Sequence, residues 1–151
     1  MDGRPSAVLP LPPRGSGRSP AARGAALEAS LAALSPRMAA AAGESGELAR
    51  AAEWLLDNAY AIQGALAQVA QDLPESFRRS LPVLRDGAFP GQLRVWVLAR
   101  QACAGAGSLD LEQLRHLVAT FPAASPLTLG ELWALPALLR LEVVEDIVRT
   151  T

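Results

Sequence analysis

The sequence of 151 residues predicts an all-α protein, and three observations carry that prediction. Half of the residues are hydrophobic but only 5% are aromatic, a composition that favours closely packed helices over a β-sandwich. Apolar residues recur three and four positions apart over several long segments. No segment of useful length alternates between apolar and polar residues as a half-buried strand does. We therefore expect a bundle of about five main helices, formed by a domain over residues 24–151.

Residues 1–23 are expected to form a disordered tail ahead of this domain. They contain five prolines and four arginines, and so little apolar surface that a packed core cannot form. The apolar stretch at 7–9 is interrupted by Pro10, which prevents it from forming the core of a signal peptide. The longest apolar run, Trp133–Leu139, is far shorter than the roughly 20 residues that span a bilayer. We therefore predict a soluble, cytoplasmic chain with no membrane span.

Two helices are predicted in the first half of the domain. The first covers Ala25–Leu34, after which Ser35 and Pro36 are expected to cap and begin a new helical segment that continues to Ala42. The second covers Glu47–Asp72 and ends because Leu73 precedes a proline. Its apolar positions alternate steps of three and four, which predicts a heptad seam packed at a shallow angle against a neighbour. These positions are Leu48, Ala52, Leu55, Ala59, Ile62, Leu66, Val69 and Leu73.

Three more main helices are predicted after a connector over residues 75–92, which can hold one or two helical turns. The third helix covers Leu93–Ala104, and the fourth begins at Ser108 or Asp110 with Pro122 beyond its end. Gly105 and Gly107 are predicted to end the third helix.

The last helix is predicted to begin at Thr128. Thr128 and Glu131 have the spacing of a capping box, in which each side chain binds the backbone N–H of the other residue. Leucines and Trp133 follow at once, which predicts that this helix begins in a buried setting. Pro136 removes one backbone hydrogen bond further along and is expected to kink the helix.

Composition argues against several kinds of site. The net charge is −1, so the chain has no overall field that would attract nucleic acid. Cys103 and His116 are the only residues of their types, which excludes an internal disulfide and a zinc site built from cysteine and histidine. We interpret Cys103 as a small core residue and His116 as a half-exposed surface residue. With no phosphate-binding glycine loop either, we predict no cofactor and no metal.

Three carboxylates near the end of the chain could share one helix face. They are Glu142, Glu145 and Asp146. Pairs of carboxylates are the catalytic residues of most glycoside hydrolases, so two of these three could form such a pair. Glu145 also lies four residues before Arg149, a favourable surface spacing, and no cleft-forming sequence accompanies the group. We therefore interpret the three carboxylates as a solvated helix face, and we predict no catalytic residue.

Polar and aromatic residues of the second helix admit two interpretations. Asp57 follows Glu53 by four positions, a repulsive spacing, so we interpret Asp57 and Asn58 as a buried or interfacial hydrogen-bonding pair, with simple exposure as the alternative. Trp54, Trp96 and Trp133 could stack on sugar rings, but their leucine neighbours at helical spacing favour packing in a core or an interface.

Several short motifs occur in the order and spacing of a known family. They are Ala51–Asn58 (AAEWLLDN), Asp72-Leu-Pro74, Leu81-Pro82, Arg94-Val95, and Pro126–Pro136 (PLTLGELWALP) followed by Leu138-Leu-Arg140. Together they resemble the N-terminal helical region of the bacterial cyclic β-1,2-glucan synthases, over about residues 25–149. The chain departs from that pattern at Leu93, at Asp146 and at 106–108, where the family tends to have a proline, an asparagine and a Thr-Asp-Gly-like turn.

The resemblance implies a function without chemistry in this chain. Members of that family are very long inner-membrane proteins that join a UDP-glucose-dependent glycosyltransferase to a phosphorylase-like domain, and their catalytic residues lie beyond the helical region. This chain would then be a non-catalytic scaffold from a truncated, split or fragmentary synthase, with a transferase module as its partner and no glucosyltransferase activity of its own. The alternative is a stand-alone helical interaction module, with a homodimer as one form of it. The resemblance implies structural or interface positions only, and these are Trp54, Asp57, Asn58, Thr128, Glu131, Trp133 and Pro136.

An isolated module of this kind has one further expected property. The face that contacts its partner is uncovered in the chain alone, so we expect an exposed apolar patch larger than a few hundred Å².

Overall fold

A computed structural model describes residues 19–85, 89–104, 109–120 and 126–150, which form six α-helices. The helices are α1 (Pro20–Ala41), α2 (Glu47–Asp72), α3 (Glu75–Arg79), α4 (Arg94–Cys103), α5 (Leu111–Ala119) and α6 (Leu129–Thr150). Within these ranges the only β pairing is an isolated antiparallel bridge between Val83 and Leu93. The predicted all-α bundle is confirmed, with α3 as a single short helix inside the predicted connector.

The first helix differs from its prediction at both ends. It begins at Pro20, where the Ser19 hydroxyl accepts a hydrogen bond from the N–H of Ala22 at 3.2 Å, so residues 20–23 are helical rather than part of the predicted tail. The rest of that tail, residues 1–18, lies outside the described residues. The helix also continues through Pro36, and the predicted break there is wrong. Pro36 is exposed, and apolar packing of Leu31 and Leu34 before it and of Met38 after it holds the helix against the core.

The core lies between four of the helices. Helices α1 and α2 pack side by side, and α6 contacts α1, α2 and α4, so that α6 is the central helix. The predicted seam of α2 is buried along most of its length, from Ala52 to Leu73, whereas Leu48 at its start is exposed. The α6 side chains at 134, 135, 137, 138, 139 and 141 supply a large part of the core. None of the described helices is long and apolar enough to cross a membrane.

Two backbone hydrogen bonds join Leu84 to a turn at Gly91 in the connector between α3 and α4. The N–H of Leu84 donates to the carbonyl of Gln92 at 2.8 Å, and the N–H of Gly91 donates to the carbonyl of Leu84 at 2.7 Å. Gly91 has φ +79°, a conformation that residues with a side chain rarely adopt. The turn thereby places Gln92, which is buried, next to the first turn of α4.

Helix α5 lies at the edge of the bundle. Its cap is Asp110, one of the two predicted starts, whose Oδ1 accepts from the N–H groups of Glu112 and Gln113 at 2.9 and 3.3 Å. The helix contacts α4 alone among the helices and buries none of its side chains completely. The alternative start Ser108, the predicted boundary at Pro122, and Gly105 and Gly107, which were predicted to end the preceding helix, lie outside the described residues.

Candidate functional site

The predicted capping box at the start of α6 is confirmed. The N–H of Glu131 donates to the Thr128 hydroxyl at 3.1 Å, and the N–H of Thr128 donates to Glu131 Oε2 at 2.8 Å. Two backbone donors that would otherwise lack a partner inside the helix are therefore satisfied by side chains. The Glu131 carboxylate, which accepts the second of these bonds, is fully buried.

Glu131 has a second role that the sequence did not predict. Arg94, the first residue of α4, donates from Nε to Glu131 Oε1 at 2.7 Å and from Nη2 to Oε2 at 2.8 Å. The same Nη2 also donates to the carbonyl of Pro126 at 2.8 Å. This bidentate pair fixes the start of α4 against the start of α6 and against the segment that leads into it. Arg94 was visible in the sequence as part of a motif, but nothing local identified its partner 37 positions away.

The pair shifts the pKa values of both residues. Burial acts to raise the pKa of Glu131, but hydrogen bonds from Arg94 and Thr128 outweigh it, so this pKa lies below its ordinary value. The hydrogen bond to Glu131 raises the pKa of Arg94 despite partial burial. Both side chains are therefore charged at neutral pH, and Glu131 is unavailable as a general acid.

The start of α6 is less buried than predicted. Leu129 is 68% exposed and Trp133 73% exposed, and Leu132 also faces solvent. The capping box explains the difference, because it directs Glu131 inward, and residues on the opposite side of the helix then point outward. Leu135 is buried as predicted. The prediction of a wholly buried start is therefore wrong for three of its four apolar residues.

The exposed residues form a continuous line along α6, which we call the α6 stripe. Its members recur at helical spacing on one face, and all of them are exposed except Arg140, which is partly buried. Arg140 Nη1 binds Asp72 Oδ2, at the end of α2, at 3.2 Å. The α6 stripe consists of Leu129, Leu132, Trp133, Pro136, Arg140 and Val143.

Glu142 and Glu145 do not form the predicted solvated face. Both side chains are 1% exposed. Glu145 Oε2 accepts from Arg23 Nε of α1 at 2.9 Å, and its Oε1 accepts from Arg149 Nε at 2.8 Å. The predicted contact between Glu145 and Arg149 is present, but Glu145 also joins α6 to the first turn of α1. The third carboxylate, Asp146, is partly buried.

Glu142 joins α6 to α4. Its Oε1 accepts from the indole Nε1 of Trp96 at 2.8 Å and lies 3.6 Å from Arg100 Nε. Arg100 stacks over the Trp96 ring, 4.3 Å from its centroid, and donates to Gln92 Oε1 at 2.6 Å. Burial lowers the pKa of Arg100, and the nearby carboxylates of Glu142 and Glu145 oppose that effect. The group fixes the connector, α4 and α6 against one another.

A signal for these buried carboxylates was present in the sequence. Glu142 and Glu145 fall at the spacing that Leu138, Leu141 and Val148 define, which is the buried face of α6. A helical-wheel comparison with those residues would have placed both carboxylates inside. It could not have named Arg23 or Arg100 as partners, because those residues belong to other helices.

Asp57 and Asn58 are not a buried pair. Asp57 is exposed, and Asn58 is partly buried with its Nδ2 donating to the carbonyl of Trp54 in the same helix at 2.7 Å. The alternative of simple exposure holds for Asp57. An interfacial role for the two residues stays a prediction.

The tryptophans, Cys103 and His116 differ in burial. Trp96 is buried as predicted, whereas Trp54 and Trp133 are exposed, so core packing explains one tryptophan of the three. Cys103 is buried in the core and His116 lies on the surface, in line with their interpretations. In the described part of the chain, no cluster of three or more His, Cys, Asp or Glu could hold a metal ion.

Comparison with known proteins relates the chain to one protein family. It is 37% identical over 117 residues to the cyclic β-(1,2)-glucan synthase NdvB of Rhizobium meliloti (strain 1021). The match covers 75% of this chain but 4% of that protein, so the chain spans a small fraction of its relative's length. No family model and no solved structure matches the chain. The similarity supports a relationship to the glucan synthases at the level of the family.

Proposed function

We propose that this chain is a non-catalytic helical module of a cyclic β-(1,2)-glucan synthase-like glycosyltransferase, and that it scaffolds a transferase module. The similarity to NdvB supports a relationship to the glucan synthases. The order of the sequence motifs resembles that of the helical region that precedes the transferase in that family. The proposal assigns to the chain a structural part in glucan synthesis and no step of the chemistry.

One observation carries the non-catalytic part of the proposal. Each of the three fully buried carboxylates among the described residues lies against an arginine of a different helix: Glu131 against Arg94, Glu142 against Arg100, and Glu145 against Arg23. All three carboxylates are buried and lie against an arginine, which keeps their helix in place, whereas a general acid needs access to substrate. The buried ionisable groups therefore support the mutual orientation of α1, α4 and α6.

A transferase assay tests the absence of catalysis. The purified chain, incubated with UDP-glucose and a divalent metal ion, is expected to release no UDP and to form no glucan. Turnover above that of a sample heated to inactivation would overturn the proposal.

A second assay tests the scaffolding role. A cyclic β-(1,2)-glucan synthase from which the matching segment has been deleted should lose glucan synthesis and regain part of it when this chain is supplied separately. The Arg94→Met/Glu131→Gln double variant, which lacks the α4–α6 ion pair, serves as the matched control and is expected to restore less. Full activity of the deleted synthase without any added chain would contradict a scaffolding role.

The α6 stripe favours a second candidate function, a stand-alone helical interaction module. Several large apolar side chains of this helix are exposed on one face, and an apolar patch on a small domain is typical of a protein–protein contact. The two candidate functions differ in whether the partner that contacts this surface is a transferase module.

A further inference from the structure

A cavity lies between the start of α1, the short helix α3 and the connector that leads into α4. We call it the Arg78 cavity, and its volume is about 210 Å³. Ser19 lines it from the cap of α1, Arg78 and Arg79 line it from α3, and the buried residues Gln92 and Trp96 form its inner wall. None of the described residues that line it is acidic, and the first turn of α1 contains no acidic residue either. The lining therefore carries two positive charges and no negative charge.

Arg78 differs from the other arginines that are at least partly buried. The structure describes six such arginines, and five of them lie within 3.6 Å of a carboxylate oxygen. These five are Arg23, Arg94, Arg100, Arg140 and Arg149. Arg78 Nε donates to the carbonyl of Leu73 at 2.9 Å, and neither of its Nη groups binds an acceptor in the part of the chain that the structure describes. A partly buried guanidinium therefore lines the cavity with both of its outer nitrogen atoms available to a ligand.

Arg79 brings a second guanidinium to the cavity, and its own ion pair is weak. It binds Glu75, one turn earlier in α3, but the two side chains are 78% and 64% exposed. Water screens such a pair, so exposed ion pairs contribute little to stability. Arg79 can therefore turn a donor toward an anion in the cavity at small cost.

The inner wall of the cavity is held by hydrogen bonds of its own. Gln92 Oε1 accepts from Arg100 Nη1 at 2.6 Å, and Trp96 Nε1 donates to Glu142 Oε1 at 2.8 Å. Because both side chains are fixed in this way, the wall is formed before any ligand arrives.

We propose that the Arg78 cavity binds a phosphate group, either as the free ion or as the end of a small soluble ester. The guanidinium groups of Arg78 and Arg79 hold two of its oxygen atoms. The Ser19 hydroxyl, which accepts from the N–H of Ala22, donates its own O–H to a third. This ligand site goes beyond the scaffolding role proposed above and does not depend on it.

Charge and size favour phosphate over other anions. A phosphate monoester carries about 1.5 to 2 negative charges at neutral pH, which matches two arginines, whereas a carboxylate carries a single charge. Guanidinium groups bind phosphate oxygens in pairs through parallel N–H donors. Pockets that enclose a drug-sized ligand have volumes of about 300–1,000 Å³. The Arg78 cavity is smaller, so it receives the phosphate group and leaves any attached group in solvent.

Two-dimensional NMR of the full, isotope-labelled chain tests the proposal, with inorganic phosphate added at constant ionic strength. The backbone amide signals of Ser19, Gly91 and Gln92 and the indole signal of Trp96 are expected to shift and to saturate together. The dissociation constant should be on the order of 1 mM, since only a few contacts hold a small anion. Acetate at the same ionic strength should bind severalfold more weakly, because it carries a single charge.

Arg79→Gln and Arg115→Gln form a matched pair of variants. Each removes an exposed arginine that pairs with a glutamate of its own helix. Arg79→Gln should raise the dissociation constant for phosphate at least about fivefold, whereas Arg115→Gln, on α5, should leave it unchanged. Arg78→Gln should raise it at least about tenfold. Circular dichroism checks the folding of that variant, because Arg78 also binds the Leu73 carbonyl. If Arg78→Gln does not fold, the comparison of Arg79→Gln with Arg115→Gln decides.

A second titration separates the sources of the phosphate group. Methyl phosphate is expected to bind as tightly as inorganic phosphate if the cavity takes the end of an ester, and more weakly if it takes the free ion. Vesicles of phosphatidylglycerol and phosphatidylcholine are expected to leave the same NMR signals unchanged.

Three results would overturn the proposal. They are shifts that do not saturate up to about 100 mM phosphate, an equal effect of Arg79→Gln and Arg115→Gln, and binding to the vesicles without binding to phosphate. None of these results bears on the transferase assay or on the deletion assay, so the proposed scaffolding role is tested separately.

Discussion

Glu131 shows how one side chain can serve two purposes at a helix end. Its carboxylate accepts from the Thr128 N–H and from Arg94, so the cap of α6 and the α4–α6 contact depend on the same two oxygen atoms. Loss of the arginine would leave a buried carboxylate with only its capping bonds, and buried charges without a counterion are strongly destabilising.

Arg94→Met is therefore expected to lower the free energy of unfolding by about 3–5 kcal/mol, because it keeps the aliphatic stem but removes the guanidinium. The Arg94→Met/Glu131→Gln double variant should lose less than the two single variants together, since it leaves no unpaired charge. Urea unfolding followed by circular dichroism measures both. Strictly additive losses would show that the two residues do not interact.

The lowered pKa of Glu131 predicts a loss of stability in acid. Because the folded-state pKa lies below the ordinary value near 4.5, Glu131 stabilises the fold above that ordinary value. The stabilisation is lost as the pH falls from about 4.5 through the lower folded-state pKa. The free energy of unfolding should thus fall more steeply between about pH 5 and 3 in the wild type than in Glu131→Gln. Parallel curves for the two proteins would contradict the assignment.

Among the helices, α1 and α6 each contain a proline well inside their length. Pro36 is exposed on α1, and the helix continues past it to Ala41. A proline in the interior of a helix removes one backbone hydrogen bond and crowds the preceding turn. The continuity of α1 therefore has a cost that packing of Leu31 and Leu34 offsets.

Replacement of that proline tests the continuity. Pro36→Ala should raise the free energy of unfolding by about 1–3 kcal/mol, the gain in helix propensity being partly offset by a more flexible unfolded chain. The neighbouring exposed change Ser35→Ala should alter it by only about 0.5 kcal/mol. If the helix ended before Pro36, as the sequence pattern indicated, Pro36→Ala would have no such effect.

The accuracy of the sequence prediction follows the distance over which each interaction acts. Periodicity and local caps predicted α2, the Thr128–Glu131 box, and Asp110 as one of two candidate caps of α5, because those signals lie within a few residues of one another. The ion pairs could not be predicted, since Arg23 and Glu145 lie 122 positions apart. Apolar spacing also left open which part of the α6 surface faces solvent, and the exposed Trp133 was misplaced for that reason.

For the molecule as a whole, the buried Arg23 moves the boundary of the domain. Arg23 was assigned to the tail, yet it is buried and binds Glu145 on the central helix. Three ion pairs connect α6 with α1 and α4, two helices that lie far from it in the sequence. The folded unit therefore includes the first turn of α1.

A comparison of two shortened chains tests this boundary. A chain that begins at Ser19 retains the α1 cap and Arg23, whereas one that begins at Gly24 leaves the buried Glu145 without Arg23. The second chain should be less stable by about 1–3 kcal/mol in urea unfolding, because Arg149 still binds Glu145 after Arg23 is lost. Arg23→Met in the longer chain is the control and should show most of the same loss. Equal stability of the two shortened chains would return the boundary to residue 24.

The position of α5 at the edge of the bundle has a consequence for motion. A helix that touches one neighbour and buries no side chain completely has little to lose by detaching, so it should open separately from the rest of the domain. Amide protons of α5 are then expected to exchange with heavy water well before those of α6, and a protease added to the native protein should cut near α5 first. The bundle would thus consist of a stable core around α6 and a peripheral helix, α5, that unfolds and refolds locally many times before the whole molecule unfolds once.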